Sequence, residues 1–324
     1  MTIETFSLTE LVGALGSPSG PLLETFDAAL ADPGAFNLSD LPVAPELIDA
    51  MHRVTCAFFE LPLEVKASYR FPDDQYVGWC GGEFLGRYGS VDRKEMYHIG
   101  PRVAPTLMAH GSDGAVATPS GDMRPAALAS CSLWPGAPDE FIAIWHDYYR
   151  AMQEASALLG RVLAHLLGTP DQEWFDVLGG NWADLAANYY PPVPSEEEGA
   201  PIYNAPHRDL TIFTILHQDQ SRVGGLSVQS ADGNWHTIDP QPDRYVVNVG
   251  ELLTYLSGGR WRAAPHQVTV AQTAPATTTA RISVPFFYRP SDDRVVTSFV
   301  DQAAAPIAVG EWVLAKKRGV ASPS

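Results

Sequence analysis

The chain has 324 residues, of which 45% are hydrophobic and 18% charged, the balance of an ordinary globular protein rather than a disordered or fibrous one. Its 21 basic and 38 acidic side chains give a formal charge of −17, which repels phosphate backbones and anionic headgroups and excludes nucleic acid and membrane surfaces as expected partners. No run approaches the roughly 18 apolar residues needed to span a bilayer, and the start lacks a basic region ahead of an apolar one.

In chain order, GAFNLSD at 34–40 reads as a short strand. The segment 45–59, PELIDAMHRVTCAFF, sets Leu47, Ile48, Met51, Val54, Phe58 and Phe59 on one face at helical spacing and predicts a helix. From Phe71 to Pro135 the chain is rich in Gly, Pro, Asp and Ser, which predicts loops and short strands and makes this the expected substrate-facing region. Phe141, Trp145, Tyr148, Met152, Ala155, Leu159, Val162 and Leu166 alternate steps of four and three, so 138–167 is a helix ended by Gly168-Thr169-Pro170. Beyond Asn181 come short β-rich runs: ADLAANYY, LTIFTIL, GLSVQ, WHTID, RYVVNVG, HQVTVA and RISVPFFY. Glu196-Glu197-Glu198 reads as a solvated loop and AKKRGVASPS as a frayed tail. Cys56, Cys80 and Cys131 show no C-x-x-C spacing and read as reduced thiols of a cytoplasmic protein.

Helices precede strands, with no βαβ alternation and no G-x-G-x-x-G or Walker-type loop, which disfavours dinucleotide-binding and P-loop folds. The expected class is α+β with a mainly β core, a jelly roll with helices packed outside. It is read as one domain over 1–324: a mainly helical part with substrate-covering loops to 180, the core at 181–290, and a C-terminal segment at 291–324. No heptad or exposed apolar helix demands a partner subunit, so the oligomeric state stays open and a monomer is compatible with the sequence.

The chemistry concentrates in the β-rich half. His207-Arg208-Asp209 is followed, 57 residues after the aspartate, by His266. Alternation along a strand puts residues i and i+2 on one face, so His207 and Asp209 can enter one cavity that His266 joins from a neighbouring strand. Two imidazoles and one carboxylate on one face are the facial set of non-haem Fe(II) oxygenases, which leaves coordination positions open. A second match, His217-Gln218-Asp219, closes a strand rather than opening one and is the weaker candidate. Arg281 and Ser283 share a face of an apolar run, a guanidinium fork and a hydroxyl suited to one carboxylate.

Taken jointly, NYYPP at 188–192, HRDLTIFTILHQD at 207–219, GGLSVQ at 224–229, VVNVGELLTYLSGGRWRAAPHQV at 246–268 and RISVPFF at 281–287 resemble a known family. It is that of the iron and 2-oxoglutarate-dependent oxygenases related to isopenicillin N synthase, deacetoxycephalosporin C synthase and the plant flavonoid and hormone dioxygenases. The resemblance implies a double-stranded β-helix, with Fe(II) held by His207, Asp209 and His266 and with His217 at a non-ligand position. It implies 2-oxoglutarate held by Arg281 and Ser283, with added hydrogen bonds from Asn188 and Tyr190, while Tyr189 points the opposite way. It further implies O2 as the co-oxidant, ascorbate as an auxiliary reductant, and succinate and CO2 as the coproducts. Hydroxylation of a small molecule of secondary metabolism, such as antibiotic biosynthesis, is the default; desaturation, cyclisation and ring expansion share the chemistry. An intact Asp209 argues against halogenation.

The chain departs from the family in HRD where HTD is usual and in the Thr/Ala/Pro-rich QTAPATTTA, read as an enlarged hairpin before Arg281. Two alternatives stay open: an isopenicillin N synthase-like oxidase that dispenses with 2-oxoglutarate, and a metal-binding scaffold without catalysis. Candidate substrate contacts are Tyr76, Trp79, Phe84, Arg87 and Arg93 in the covering region, Arg208 if it turns inward, and Phe213 and Tyr288 beside the predicted strands. Phe287 is expected in the core.

Overall fold

A computed structural model describes residues 3–16, 20–70, 78–81, 83–85, 91–100, 134–136, 138–179, 183–191, 202–219, 225–269 and 280–317. The chain begins with β1 (Thr5–Ser7), α1 (Leu8–Gly13), α2 (Pro21–Ala31), β2 (Ala35–Ser39), α3 (Pro45–Phe59) and α4 (Leu63–Ala67). Four short strands follow, β3 (Gly78–Cys80), β4 (Glu83–Leu85), β5 (Val91–Arg93) and β6 (Glu95–Ile99). Then come α5 (Phe141–Leu167), α6 (Asp171–Leu178), β7 (Ala183–Tyr190), β8 (Ile202–His207), β9 (Phe213–Gln218), β10 (Leu226–Gln229), β11 (Trp235–Thr237) and β12 (Tyr245–Val249). The chain closes with α7 (Glu251–Leu256), β13 (His266–Thr269), β14 (Arg281–Tyr288), β15 (Val295–Val296), β16 (Ile307–Ala308) and α8 (Val309–Lys317).

The predicted helices form where the 3.6-residue stripe dictates. Helix α3 occupies the expected 45–59, with proline in its first turn, where no N–H is needed, and Met51, Val54, Phe58 and Phe59 buried. Helix α5 buries Phe141, Trp145, Tyr148, Met152, Ala155, Leu159 and Val162, and ends at Gly168, whose φ of 68° is the left-handed cap that glycine adopts freely. The expected frayed tail is helical as far as Lys317. Two elements have no counterpart in the sequence reading: ELLTYL, inside an apolar run, is the helix α7, and IYNAPH forms the strand β8 despite its proline. The glutamate run and the expected enlarged hairpin lie outside the described residues.

Eight strands make one sheet in the order β1-β2-β12-β9-β14-β7-β6-β3, and four make a second in the order β11-β10-β13-β8. Alternation gives the large sheet two faces. Phe213 and Ile215 of β9, Ile282, Val284, Phe286 and Tyr288 of β14, and Leu185 and Ala187 of β7 join the aromatic residues of α3 and α5 in one core. Each of these large side chains contributes about 2 to 3 kcal/mol by leaving water. The opposite face turns toward the second sheet, where Tyr190, Val246 and Leu216 meet Tyr203, Leu226, Val228, Ala264 and Val268 in a smaller cluster. This is the jelly roll expected from the strand-rich half, and its interior is where the polar residues of the inner face collect.

Candidate metal and cosubstrate site

His207 ends β8 and His266 begins β13, and the two residues are direct partners across that antiparallel pair. Their rings lie 4.2 Å apart. Asp209 follows two residues after His207, so the strand pleat and the chain's exit from β8 bring the carboxylate to the same point. His207 Nε2 and His266 Nε2 are each 3.7 Å from Asp209 Oδ1. Ligand atoms from all three residues fall within 4.8 Å of one another, and among the described residues this is the one such group of His, Cys, Asp or Glu.

Each ligand is held by its other polar atom. His207 Nδ1–H donates to Ala205 O at 2.8 Å and His266 Nδ1–H to Ala264 O at 3.1 Å, which fixes the tautomer that leaves both Nε2 lone pairs facing Asp209. Asp209 Oδ2 accepts from Thr214 Oγ1 at 2.6 Å and from Asn248 Nδ2 at 2.9 Å, so Oδ1 is the oxygen turned to the imidazoles. The backbone reinforces this placement: Glu251 N–H donates to Asp209 O at 2.9 Å and Gly250 N–H to Ile212 O at 2.8 Å. A Cβ on Gly250 would stand 2.1 Å from Thr211 O, so only glycine permits the approach.

Burial, then the neighbouring His266, pushes His207 down to about 3. Burial alone would raise the Asp209 carboxyl, but the two imidazoles and the hydrogen bonds from Thr214 and Asn248 hold it below the ordinary carboxylate value. The result is a neutral His207 beside an ionised Asp209, the protonation state in which imidazole and carboxylate bind a divalent cation. Two nitrogen donors and one oxygen donor on one side fit Fe(II) with positions left open.

The second half of the site lies on the inner face of β14. Arg281 and Ser283 are both buried. Register sets Arg281 opposite Tyr190 and Ser283 opposite Asn188 on β7, and Ser283 opposite Gln218 on β9. Arg281 Nη2 donates to Gln218 Oε1 at 2.7 Å, and its guanidinium lies 5.0 Å from the centre of the Tyr190 ring. Asn188 Oδ1 is buried with no hydrogen-bond partner among the described residues. Such an atom costs about 1 to 3 kcal/mol unless a ligand or water pairs with it. A buried guanidinium and a hydroxyl on one face suit a carboxylate-bearing cosubstrate, while the open Asn188 Oδ1 is an acceptor suited to a donor such as water. Tyr189 points to the other face and stacks on Phe59 at 5.1 Å.

His217 sits on the helix-packed face of β9, its Nδ1 2.7 Å from His52 Nε2, and does not converge with the other histidines. Phe213 and Tyr288 are core residues rather than pocket walls: they stack at 4.7 Å among the side chains beneath α5 and α6. Phe287, expected in the core, is half-buried on the inner face, with its ring 6.5 Å from that of His98. Trp79 is buried, and its indole N–H donates to Glu95 Oε2 at 2.8 Å, an oxygen that also takes Lys66 Nζ at 2.6 Å. Arg208 is exposed and donates from Nε to Ala263 O at 3.2 Å. Phe84 and Arg93 lie on the β4–β5 hairpin, whose second strand runs beside β8. Tyr76 and Arg87 lie outside the described residues. Sequence reasoning missed Thr214, Asn248 and Gln218; the i, i+2 pattern running from Thr214 to Gln218 was the signal that they share a face with the site.

The geometry defines a jelly-roll protein whose interior gathers two imidazoles and one carboxylate that could hold a metal ion, with a buried arginine on the same interior. Residues 181–290 match the model of the 2OG-Fe(II) oxygenase superfamily, and residues 6–116 that of the non-haem dioxygenase in morphine synthesis N-terminal region. The core at 181–290 is thus a 2OG-Fe(II) oxygenase superfamily segment. It is 32% identical over 269 residues to gibberellin 20 oxidase 1-B of Triticum aestivum, covering 81% of this chain and 65% of that protein. It is 27% identical over 262 residues to jasmonate-induced oxygenase 2 of Arabidopsis thaliana, covering 80% of this chain and 62% of that one. The chain thus spans just under two thirds of the length of these relatives. Among solved structures, JOX2 in complex with 2OG, Fe and JA superposes with a TM-score of 0.76 at 24% identity, covering 100% of this chain and 90% of that one. The dioxygenase for auxin oxidation in rice superposes with a TM-score of 0.70 at 22% identity, covering 98% and 96%. These likenesses establish the shared jelly-roll fold.

Proposed function

We propose that the chain is an Fe(II)- and 2-oxoglutarate-dependent oxygenase that oxidises a small molecule of secondary metabolism, with hydroxylation as its default reaction. The observation that carries this reading is that strand β9 serves both halves of the site from one face: Thr214 holds Asp209, and Gln218 holds Arg281. His207, Asp209 and His266 would bind the metal, and Arg281 and Ser283, with Asn188 and Tyr190 beside them, the distal carboxylate of the cosubstrate. Bound Fe(II) and 2-oxoglutarate supply O2 activation coupled to decarboxylation of the cosubstrate to succinate and CO2.

The protein's own work is to orient and to exclude. Thr214 and Asn248 keep Asp209 Oδ2 occupied, so the carboxylate offers its other oxygen to the metal. Phe287, half-buried on the inner face, and the β4–β5 hairpin beside β8 are the described elements placed to contact a substrate. The strongly negative chain supports a small molecule over nucleic acid or a membrane surface, and no described helix is long and apolar enough to cross a membrane. A cytoplasmic location and a single oxygenase unit over 1–324 belong to the same reading; one core that draws on residues from Phe6 to Val309 supports the latter.

The test is an anaerobic visible absorption titration of the Fe(II)-loaded chain with 2-oxoglutarate, because bidentate chelation gives a metal-to-ligand charge-transfer band. A saturable band is expected. Tight Fe(II) binding without a band would leave an oxidase that does not use 2-oxoglutarate, and absence of Fe(II) binding would leave a scaffold.

A further inference from the structure

We propose that Gln218 is a positioning residue that makes the cosubstrate site select a 2-oxo dicarboxylate over a 2-oxo monocarboxylate. The inference rests on the reading of Arg281 as the group that meets the distal carboxylate.

Gln218 ends β9 on its inner face, 4% exposed, directly across from Ser283. Its Oε1 accepts from Arg281 Nη2 at 2.7 Å. The guanidinium is a planar fork on a long, flexible stem, and an arginine free to rotate would meet a carboxylate only after losing that freedom. Here the Tyr190 ring, 5.0 Å from the guanidinium carbon, bounds its face while the Gln218 amide fixes one edge. The remaining N–H groups of the fork are thereby given a set direction before any ligand arrives.

The chemistry of the amide matters as much as its place. Gln218 supplies the acceptor oxygen of a carboxylate without its charge, so Arg281 is held by a group that does not neutralise it. A glutamate at 218 would form an ion pair with the same nitrogen and compete with the incoming carboxylate. A leucine would keep the volume and remove this bond to the fork. Asp209 Oδ2 accepts from Thr214 and Asn248 and not from Gln218, so the influence of Gln218 reaches the cosubstrate through Arg281. A 2-oxo monocarboxylate can offer the metal the same chelating end but has nothing for the held fork to meet.

The test uses the full Fe(II)-loaded chain under anaerobic conditions, titrated separately with 2-oxoglutarate and with 2-oxopentanoate, reading the charge-transfer band. The wild-type chain is expected to prefer 2-oxoglutarate. Gln218→Leu should weaken 2-oxoglutarate roughly tenfold and Gln218→Glu on the order of a hundredfold, as for loss of a charged hydrogen bond and for a competing ion pair. Both variants should keep affinity for 2-oxopentanoate and for Fe(II) within about twofold, since neither meets the Arg281 fork. In an Arg281→Ala background, Gln218→Leu should cost nothing further. Equal losses for both 2-oxo acids, or a parallel loss of Fe(II), would show a structural role and overturn the proposal, as would unchanged 2-oxoglutarate affinity in both variants. If the wild-type chain gives the band with neither acid, the cosubstrate reading itself fails and this inference with it; a band in the wild type that only Arg281→Ala weakens removes the role of Gln218 alone.

Discussion

His52 Nε2 and His217 Nδ1 share a hydrogen bond of 2.7 Å across the seam where α3 packs on the back of β9. Burial, then the neighbouring His52, pushes His217 down to about 3, and burial likewise lowers His52 against the opposing pull of Asp219 and Asp49. The Tyr245 ring, 5.1 Å from that of His217, closes the seam from β12. Both imidazoles are therefore neutral in the folded protein near pH 7, and one N–H serves the pair.

The sign of the pH dependence follows. In the unfolded chain each histidine titrates near 6.5, whereas in the folded protein His217 takes up its proton only near 3 and His52 below its ordinary value. The stability these groups contribute is fully present above about 6.5 and is lost as pH falls below it, at up to about 1.4 kcal/mol per pH unit for each group. His217→Gln should reduce the slope of unfolding free energy between pH 6 and 4 by about that amount, measured by urea denaturation. An unchanged slope would mean that the seam does not set the acid sensitivity.

The same residue separates the two H-x-D matches. His207→Ala or Asp209→Ala should abolish tight Fe(II) binding, because each removes one of three ligands, while His217→Ala should keep it and lose only stability. Equilibrium dialysis of Fe(II) against the three variants reads this directly. Retention of Fe(II) by His207→Ala together with loss in His217→Ala would reverse the assignment.

Much of this was legible in the sequence, for reasons of parity and period. The convergence of His207, Asp209 and His266 could be read because two of them are i, i+2 at a strand end and the third opens another strand; the helices could be read because their apolar stripes are long. Parity also explains what was misread. Arg281 and Tyr288 are seven apart on one strand, so they face opposite ways, and Tyr288 belongs with the core that Ile282 and Val284 enter. Strand β8 escaped because IYNAPH has few β-branched residues and carries a proline; its place comes from pairing with β13, a contact between segments some 60 residues apart. ELLTYL is an apolar run of a length that strands and helices share, and the backbone bonds of Gly250 and Glu251 to the Asp209 loop set its start. Trp79 resembled a substrate contact because aromatic residues in Gly-rich loops often are; only the fold reveals that Glu95 and Lys66 claim it.

That buried group is itself testable. Lys66 Nζ donates to Phe59 O at 2.8 Å as well as to Glu95, and its side chain is nearly inaccessible. Glu95→Gln would keep the shape but leave the ammonium without its counter-charge, a loss of roughly 3 kcal/mol by the usual cost of breaking a buried pair. Glu95→Gln/Lys66→Met, which removes both charges, should recover most of it. A double variant as unstable as the single one would show that shape rather than charge is what the site requires.

The hydroxyl of Thr214 and the amide of Asn248 offer the sharpest test of how the metal site is built. Both donate to Asp209 Oδ2, and both are buried on the inner face. Thr214→Val keeps the branched shape and removes one donor; Asn248→Ala removes the other. Loss of an outer hydrogen bond to a metal ligand costs 10 to 100-fold in metal affinity in comparable sites, so each variant should weaken Fe(II) by roughly tenfold or more. The two donors share one oxygen, so their effects should not be additive: with the first gone, Asp209 is already free to turn, and removing the second costs less than it did alone. Fe(II) titration of both single variants and of the double variant measures this coupling. Strict additivity would mean that each donor acts on its own strand rather than through Asp209.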